Sequence, residues 1–574
     1  MLLKETVSGD YILFEPESSS ERKKMEEFPG LLRQGTSFFS TRKQNVVSNL
    51  VQRLGLPIKA SPQVKELCSD EIALSKLPED FTFFTNPLPH QEIALRFLYT
   101  FSSAGLLLEP GLGKTKVILD FIHLMKFPKA CIVCPKPLLF VWEEEVVKHR
   151  PELDLYVVRS TDWEKEKSHI AAAQVVVVNY DKCVSMEQGL TSMKFNFVGV
   201  DEGLIKNLHT ARTKSVFEVS KHATSKVIMS GTLVNNSPID IFPPVKFVEP
   251  SLLGVSITRF KTRFCVPAKF NKNVIIAFRH QDEVKSALQA CCIVMTKAEW
   301  LKDLPPKTFH EISVTLPDEQ RDFYQSLSAN WIAKVPGTEE YLELDNPLPL
   351  LSKLTQVCNG FLYWGDITED ENVPGLEVTK KKKGKRKVFE FVENPKITAL
   401  LKLIGPEGDL QGRRAIIWFN MGHERVLIER ALTEAGYGYL VVAGGEKNVG
   451  GKVNEFNKND KIPFLICQAK TINYGVTVMG HTEEEGEEDL EDASGVSIYS
   501  TTVSDEIFFS LGFSLELFLQ QQDRIHRIGQ TKECHYWLLL TNTSVERKIS
   551  TRLEQKLSCS RQLLQDIATS AEMV

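Results

Sequence analysis

The run Glu109-Pro-Gly-Leu-Gly-Lys-Thr115 holds the residue types that a phosphate-binding loop requires. Gly111 and Gly113 let backbone N–H groups approach phosphate oxygens at the positive end of a following helix, with Leu112 between them in the same cradle. Lys114 can reach the β- and γ-phosphates of a nucleoside triphosphate, and the Thr115 hydroxyl can ligate Mg²⁺. The spacing departs from the longer G-x-x-x-x-G-K-T form, because Leu108 stands where its first glycine would be. A second constellation follows 87 residues after Lys114, where a hydrophobic run ends in Asp201-Glu202. Two carboxylates at the carboxyl end of a buried strand sit where ligands bind in open α/β sheets. There Asp201 would hold Mg²⁺ through water, and Glu202 would orient and deprotonate an attacking water. Taken alone, such an acidic pair reads as a solvated loop; the phosphate loop upstream gives it the second reading.

These groups need rigid elements to carry them. Short apolar runs alternate with helix-period segments in two series: AGLLL (104–108), ACIVC (130–134), VVVV (175–178), FVGV (197–200) and KVIMS (226–230), then AIIWF (415–419), YLVVA (439–443), FLIC (464–467), EIFFS (506–510) and YWLLL (536–540). Aliphatic runs of this length fit strands buried on both faces of a parallel sheet. Two series imply two α/β lobes. The glycine loop falls directly after AGLLL and before KVILDFIHLM, where Val117, Ile118, Phe121, Leu124 and Met125 share one helical face. We expect a first ATP-binding lobe over 86–245, helical insertions and a linker over 246–390, and a second lobe over 391–574. Residues 1–85 form an accessory region of unknown role.

Composition narrows the class. The 574 residues exceed what one core accommodates, and the 42% hydrophobic, 25% charged content is that of an ordinary globular protein. The sequence has no membrane-length apolar run and no signal-peptide pattern at its start. A cytoplasmic location is therefore expected in a prokaryotic or phage-infected cell, and a nuclear one in a eukaryotic host. The eleven cysteines lack zinc-ligand spacing and read as reduced and structural. Two charge blocks stand out, basic KKKKGKRK (380–387) and acidic EEEGEEDLED (483–492). The basic run reads either as a solvated linker or as a phosphate contact or nuclear address. The acidic run reads either as a solvated loop or as a phosphate mimic that occupies a basic groove. Trp142 and Trp418 read as core, and His90 and His423 as ordinary packing or surface residues.

Further motifs resemble the Swi/Snf family of superfamily 2 helicase-like ATPases. Leu88-Pro-His-Gln91 is similar to its adenine-reading element, with Gln91 as the implied adenine contact. CPKPLLFVWEEEVVKH (134–149), VVNYD (177–181) and Ser230-Gly-Thr-Leu-Val-Asn-Asn-Ser-Pro238 resemble later motifs in order. LPPK (304–307), DEQRDFY (318–324) and LTQVCNGF (354–361) resemble segments peculiar to this family, and Gln520-Gln-Gln-Asp-Arg-Ile-His-Arg-Ile-Gly-Gln530 is nearly its final motif letter for letter. The resemblance implies two RecA-like lobes in tandem, with ATP and Mg²⁺ as ligands. It also implies that Arg524 and Arg527 reach across the cleft to the γ-phosphate and that Gly475 contributes to the nucleotide site. Three departures accompany it: DEGLIKN (201–207) is one residue shorter than the usual run, Met295-Thr296-Lys297 stands where an arginine pair is usual, and AKTINYGVTV (469–478) keeps part of the fifth motif. The compact length resembles a viral or phage member more than a large chromatin remodeller.

The implied activity is that of a monomeric DNA-dependent ATPase that moves along duplex DNA and remodels protein–DNA complexes or branched DNA. A strand-separating DNA or RNA helicase is one alternative. A degenerate motor that grips DNA and recruits a partner is another, favoured by Gly203 and Leu204 and opposed by the intact Lys114, Thr115, Asp201, Glu202, Arg524 and Arg527.

Overall fold

In the computed structural model, AGLLL, ACIVC, VVVVN and FVGVD form strands with every residue buried. The structure describes residues 2–5, 11–27, 31–34, 37–41, 47, 50, 60, 74–203, 205, 207–231, 238–254, 256–267, 275–339, 341–344, 347–364, 387–444, 446, 448–471 and 503–568. Outside them lie Gly475, Leu204, the acidic run 483–492 and the basic run up to residue 386.

Contacts divide the chain into two units, one built on residues up to Asp303 and the other on Leu304–Asp489 with Tyr499–Gln555. In the first unit, seven parallel strands run in the order Cys292–Met295, Ala104–Leu108, Ser225–Met229, Phe197–Asp201, Ala130–Cys134, Val175–Asn179, Leu155–Val157. The helices Lys114–Leu124, Leu139–His149 and Ala211–Val219 lie between consecutive strands, as parallel pairing requires. Val175–Val178 show why the runs are continuous rather than alternating: all four are fully buried, each worth about 1.5–3 kcal/mol of transfer free energy.

The second unit has six parallel strands in the order Lys307–Val314, Cys534–Thr541, Val503–Phe508, Arg414–Phe419, Phe464–Gln468, Tyr439–Val442. Two parallel-sheet α/β units in tandem are therefore the fold class that the apolar series implied. A buried polar network stiffens the second unit. Lys396 Nζ donates to Asn359 Oδ1 (2.9 Å), the Phe509 carbonyl (3.0 Å) and Glu546 Oε1 (2.5 Å), and Asn359 Nδ2 donates to Glu424 Oε1 (2.7 Å). Asn359 belongs to the LTQVCNGF segment, so that stretch joins helix to sheet.

Within residues 1–85 a four-stranded antiparallel sheet is built from Leu2–Glu5, Tyr11–Glu15, Ser37–Thr41 and Leu32–Gln34, with Ile12, Phe14 and Phe38 buried. Residues 81–85 strap onto the first unit's helices. Lys116 and Arg150 both pair with Asp120 (2.8 and 2.6 Å), and their cations lie over the rings of Phe83 and Phe81. Among the described residues no helix is long and apolar enough to cross a membrane.

Candidate nucleotide site

Three loops of the first unit meet at the carboxyl ends of neighbouring strands. Ala104–Leu108 and Phe197–Asp201 flank Ser225–Met229, with Met229 in register with both Leu106 and Asp201. The loop after Leu108 turns through Gly111 (φ +91°) and Gly113 (φ +79°, ψ +35°) into the Lys114–Leu124 helix. Both glycines occupy the left-handed region that side-chain-bearing residues disfavour. Lys114 Nζ donates to the Leu108 carbonyl (3.0 Å), folding back over the loop it belongs to. Thr115, half-buried, is the next helical residue.

The loop is held from two sides. On one side, Gln91 Nε2 donates to the Leu112 carbonyl (3.4 Å), and His90 Nε2 lies 3.0 Å from the same oxygen. The Leu88 N–H in turn donates to Gln91 Oε1 (3.0 Å), so Gln91 is fixed at both ends against the loop. On the other side, the Glu109 N–H donates to the Met295 carbonyl (3.1 Å), and Glu109 Oε2 accepts from the Lys297 N–H (2.7 Å). The Met295–Lys297 stretch that departs from the family pattern thus grips the phosphate loop through its backbone.

Asp201 ends its strand buried. Its Oδ2 accepts from Trp142 Nε1 (3.1 Å), its Oδ1 from the Glu202 N–H (3.0 Å), and its carbonyl from the Tyr180 hydroxyl (2.9 Å). Burial pushes the Asp201 carboxyl above its ordinary value, while the nearby Lys114 ammonium and the Trp142 N–H pull it down. Glu202 sits at φ +57° and Gly203 at φ +45°, so the chain reverses immediately after the carboxylates. A non-glycine residue held there costs about 1–2 kcal/mol, and such residues concentrate at functional sites. A Cβ on Gly203 would lie 3.4 Å from Ser230 Cβ, and one on Gly231 only 2.8 Å from Pro110 Cδ. The Ser230 N–H also donates to the Leu106 carbonyl (3.0 Å), which brings the third loop to the other two.

The structure thus brings Gln91, Gly111, Leu112, Gly113, Lys114, Thr115, Asp201 and Glu202 to one end of one sheet. The Thr115 hydroxyl and Asp201 carboxylate are hard oxygen donors that suit Mg²⁺. Among the described residues no group of three or more His, Cys, Asp or Glu side chains could hold a metal. A divalent ion here would take its remaining ligands from phosphate oxygens and water, as Mg²⁺ commonly does.

In the second unit the Gln520–Gln530 motif packs against the sheet. Arg524 is buried and its Nε donates to the Gln520 carbonyl (2.8 Å); Arg527 is half-buried. Gln530 Nε2 donates to the carbonyls of Val503 (3.1 Å) and Ile525 (3.0 Å), and the Tyr536 hydroxyl to that of Gln522 (3.0 Å). Lys307, of the LPPK segment, reaches Gln522 Oε1 (3.3 Å) and Asp523 Oδ1 (3.4 Å). Beneath them Glu506 is wholly buried, with Oε2 accepting from Trp418 Nε1 (3.0 Å). Burial drives its carboxyl well above the ordinary range, opposed by Trp418, Lys307 and Arg524.

Sequence reasoning missed several of these residues. Trp142 and Trp418 are core, as expected, yet both also donate to a buried carboxylate. His90 is buried, as a packing residue is, and its ring also touches the phosphate loop. The motif positions of Trp142 and Tyr180 were visible signals; their partners were not.

Residues 90–361 match the SNF2-related domain. The chain is 24% identical over 516 residues to the TATA-binding protein-associated factor mot1 of Schizosaccharomyces pombe, covering 79% of this chain and 25% of that one. It is 23% identical over 480 residues to the ISWI chromatin-remodeling complex ATPase ISW2 of Saccharomyces cerevisiae, covering 80% and 38%. It therefore spans a quarter to two fifths of the length of these relatives. A solved structure, the Sulfolobus solfataricus SWI2/SNF2 ATPase core in complex with dsDNA, aligns over 87% of this chain and 96% of that one, at 20% identity and a TM-score of 0.38. With its motifs in order along both parallel-sheet units and an SNF2-related domain match that begins in the first and ends in the second, the chain is similar to the Swi/Snf-type ATPases of superfamily 2.

Proposed function

We propose that the chain is a duplex-DNA-stimulated ATPase that moves along DNA and remodels protein–DNA complexes or branched DNA. The observation that carries this reading is the meeting of the Gly111–Gly113 loop, Lys114 and the Asp201-Glu202 pair at one sheet end. The relatives, a chromatin-remodelling ATPase and a TATA-binding protein-associated factor, support the same class. In this reading the loop amides and Lys114 hold the phosphates, and Gln91 contacts the adenine. Glu202 orients the attacking water and accepts its proton. Thr115 and, through water, Asp201 would hold Mg²⁺, which would supply charge neutralisation at the phosphate oxygens. Arg524 and Arg527 complete the site from the second lobe, so hydrolysis follows lobe closure and closure becomes a step.

The domains assign accordingly: 86–245 binds ATP, 391–574 carries the arginines, with Gly475 contributing to the nucleotide site, 246–390 joins them while lending the strand Cys292–Met295 to the first sheet and Lys307–Val314 to the second, and 1–85 is accessory. A monomer in the cytoplasm of a prokaryotic host, or the nucleus of a eukaryotic one, fits this role. The test is ATP-driven displacement of a third strand from a DNA triplex. Displacement by the wild type and none by Glu202→Gln is expected; a wild type that hydrolyses ATP without displacement would reduce the reading to a stationary ATPase.

A further inference from the structure

Of the two hydrogen bonds to the Asp201 carboxylate, one is local and the other comes from far along the chain. Glu202, its neighbour, occupies Oδ1, whereas Oδ2 accepts from the indole of Trp142, 59 residues away on the Leu139–His149 helix. Trp142 is entirely buried, with a relative exposure of 0%. An apolar side chain of similar size would fill that volume equally well and would leave Oδ2 without its enclosed donor. The choice of tryptophan is therefore about the N–H as well as the packing. Each carboxylate oxygen carries two lone pairs, so the indole can fix the orientation of Asp201 and leave acceptor capacity for a hydrated cation. The terminal torsion of an aspartate is broad and needs such a partner to be defined.

We propose that Trp142 is a positioning residue for the divalent cation that accompanies the nucleotide: its N–H sets the Asp201 carboxylate in the orientation that receives the cation's water shell. This rests on the nucleotide-site reading above and adds to it the residue that tunes the metal. The phosphate loop makes no hydrogen bond to Trp142 among those described, so the indole acts on the nucleotide site through Asp201. Partners of this outer kind commonly carry about 10–100-fold of metal affinity.

The experiment measures binding of a fluorescent ATP analogue to the full chain in EDTA and across a Mg²⁺ titration. The proteins are wild type, Trp142→Phe, Asp201→Ala and the double variant, with circular dichroism to confirm folding. Trp142→Phe is expected to bind the analogue normally in EDTA and to need about 10-fold or more Mg²⁺ for half-maximal tightening. In the Asp201→Ala background the same change should add nothing, because the indole acts through that carboxylate. A wild-type Mg²⁺ response in Trp142→Phe overturns the proposal, as does an equal further loss on top of Asp201→Ala. A wild type indifferent to Mg²⁺ would instead overturn the nucleotide-site reading itself. If Trp142→Phe does not fold, the indole ¹⁵N–¹H resonances of the seven tryptophans supply the readout. The one resonance displaced by Asp201→Ala should be the one that moves when Mg²⁺ joins the wild-type nucleotide complex. A Mg²⁺ response absent from that resonance overturns the proposal.

Discussion

Replacing Gly113 by alanine should damage nucleotide binding through two separable effects. The residue sits at φ +79°, ψ +35°, where an added side chain costs about 1–2 kcal/mol of backbone strain. The new Cβ would also overlap the Gln91 amide. Gln91 is a flexible side chain and can withdraw, but in doing so it gives up its bonds to the Leu88 N–H and the Leu112 carbonyl. At about 0.5–1.5 kcal/mol net for each bond, withdrawal costs about 1–3 kcal/mol. The sum, about 2–5 kcal/mol, corresponds at its lower end to a roughly 30-fold loss of affinity. Isothermal titration with ATP and Mg²⁺ on Gly113→Ala, Gln91→Ala and the double variant measures both parts. The double variant should lose less than the sum of the singles, because removing the amide removes the overlap and leaves only the strain. Wild-type affinity in Gly113→Ala would refute the left-handed cradle, and strict additivity would refute the packing of Gln91 on the loop.

Further outcomes follow from the same geometry. Lys114→Ala should weaken nucleotide binding, whereas Glu202→Gln should retain ATP without turning it over; a Glu202→Gln protein with normal turnover would remove Glu202 as the base. The Glu506 carboxyl, raised by burial, keeps its proton in the folded chain at pH values where the unfolded chain has lost it. Stability should therefore fall as pH rises above the ordinary glutamate value of 4.5, and Glu506→Gln should flatten that slope in thermal melts taken from pH 4 to pH 8. Asp120→Ala leaves Lys116 and Arg150 buried without their shared carboxylate, and a loss of about 3–5 kcal/mol is expected in denaturant titration.

The parts of this chain that were legible beforehand are those where chemistry and burial coincide locally. AGLLL and FVGV are buried on both faces, so their strands appear as unbroken apolar runs, and the glycine loop and acidic pair follow at their carboxyl ends. The strand Val503–Phe508 shows the opposite case. Its Ser504, Asp505 and Glu506 are all buried, and only the end of the strand shows as an apolar run. What makes those residues tolerable is the supply of donors from elsewhere, Trp418 for Glu506 and Trp537 with Arg413 for Asp505. Lys307–Val314 alternates polar and apolar residues because it lies at the edge of its sheet, half-exposed, and pairs over eight residues with Cys534–Thr541. The Trp142–Asp201 bond spans 59 residues, a separation that no local pattern encodes.

The central claim, that duplex DNA drives ATP turnover completed by arginines of the second lobe, is tested most directly by steady-state hydrolysis. Rates would be measured for wild type and Arg527→Ala without nucleic acid and with duplex DNA, single-stranded DNA or RNA. The account predicts a low basal rate raised chiefly by duplex DNA. It also predicts that Arg527→Ala lowers the stimulated rate about 10³-fold or more while ATP affinity persists. An unchanged stimulated rate in Arg527→Ala, or a wild-type rate indifferent to duplex DNA, would contradict it.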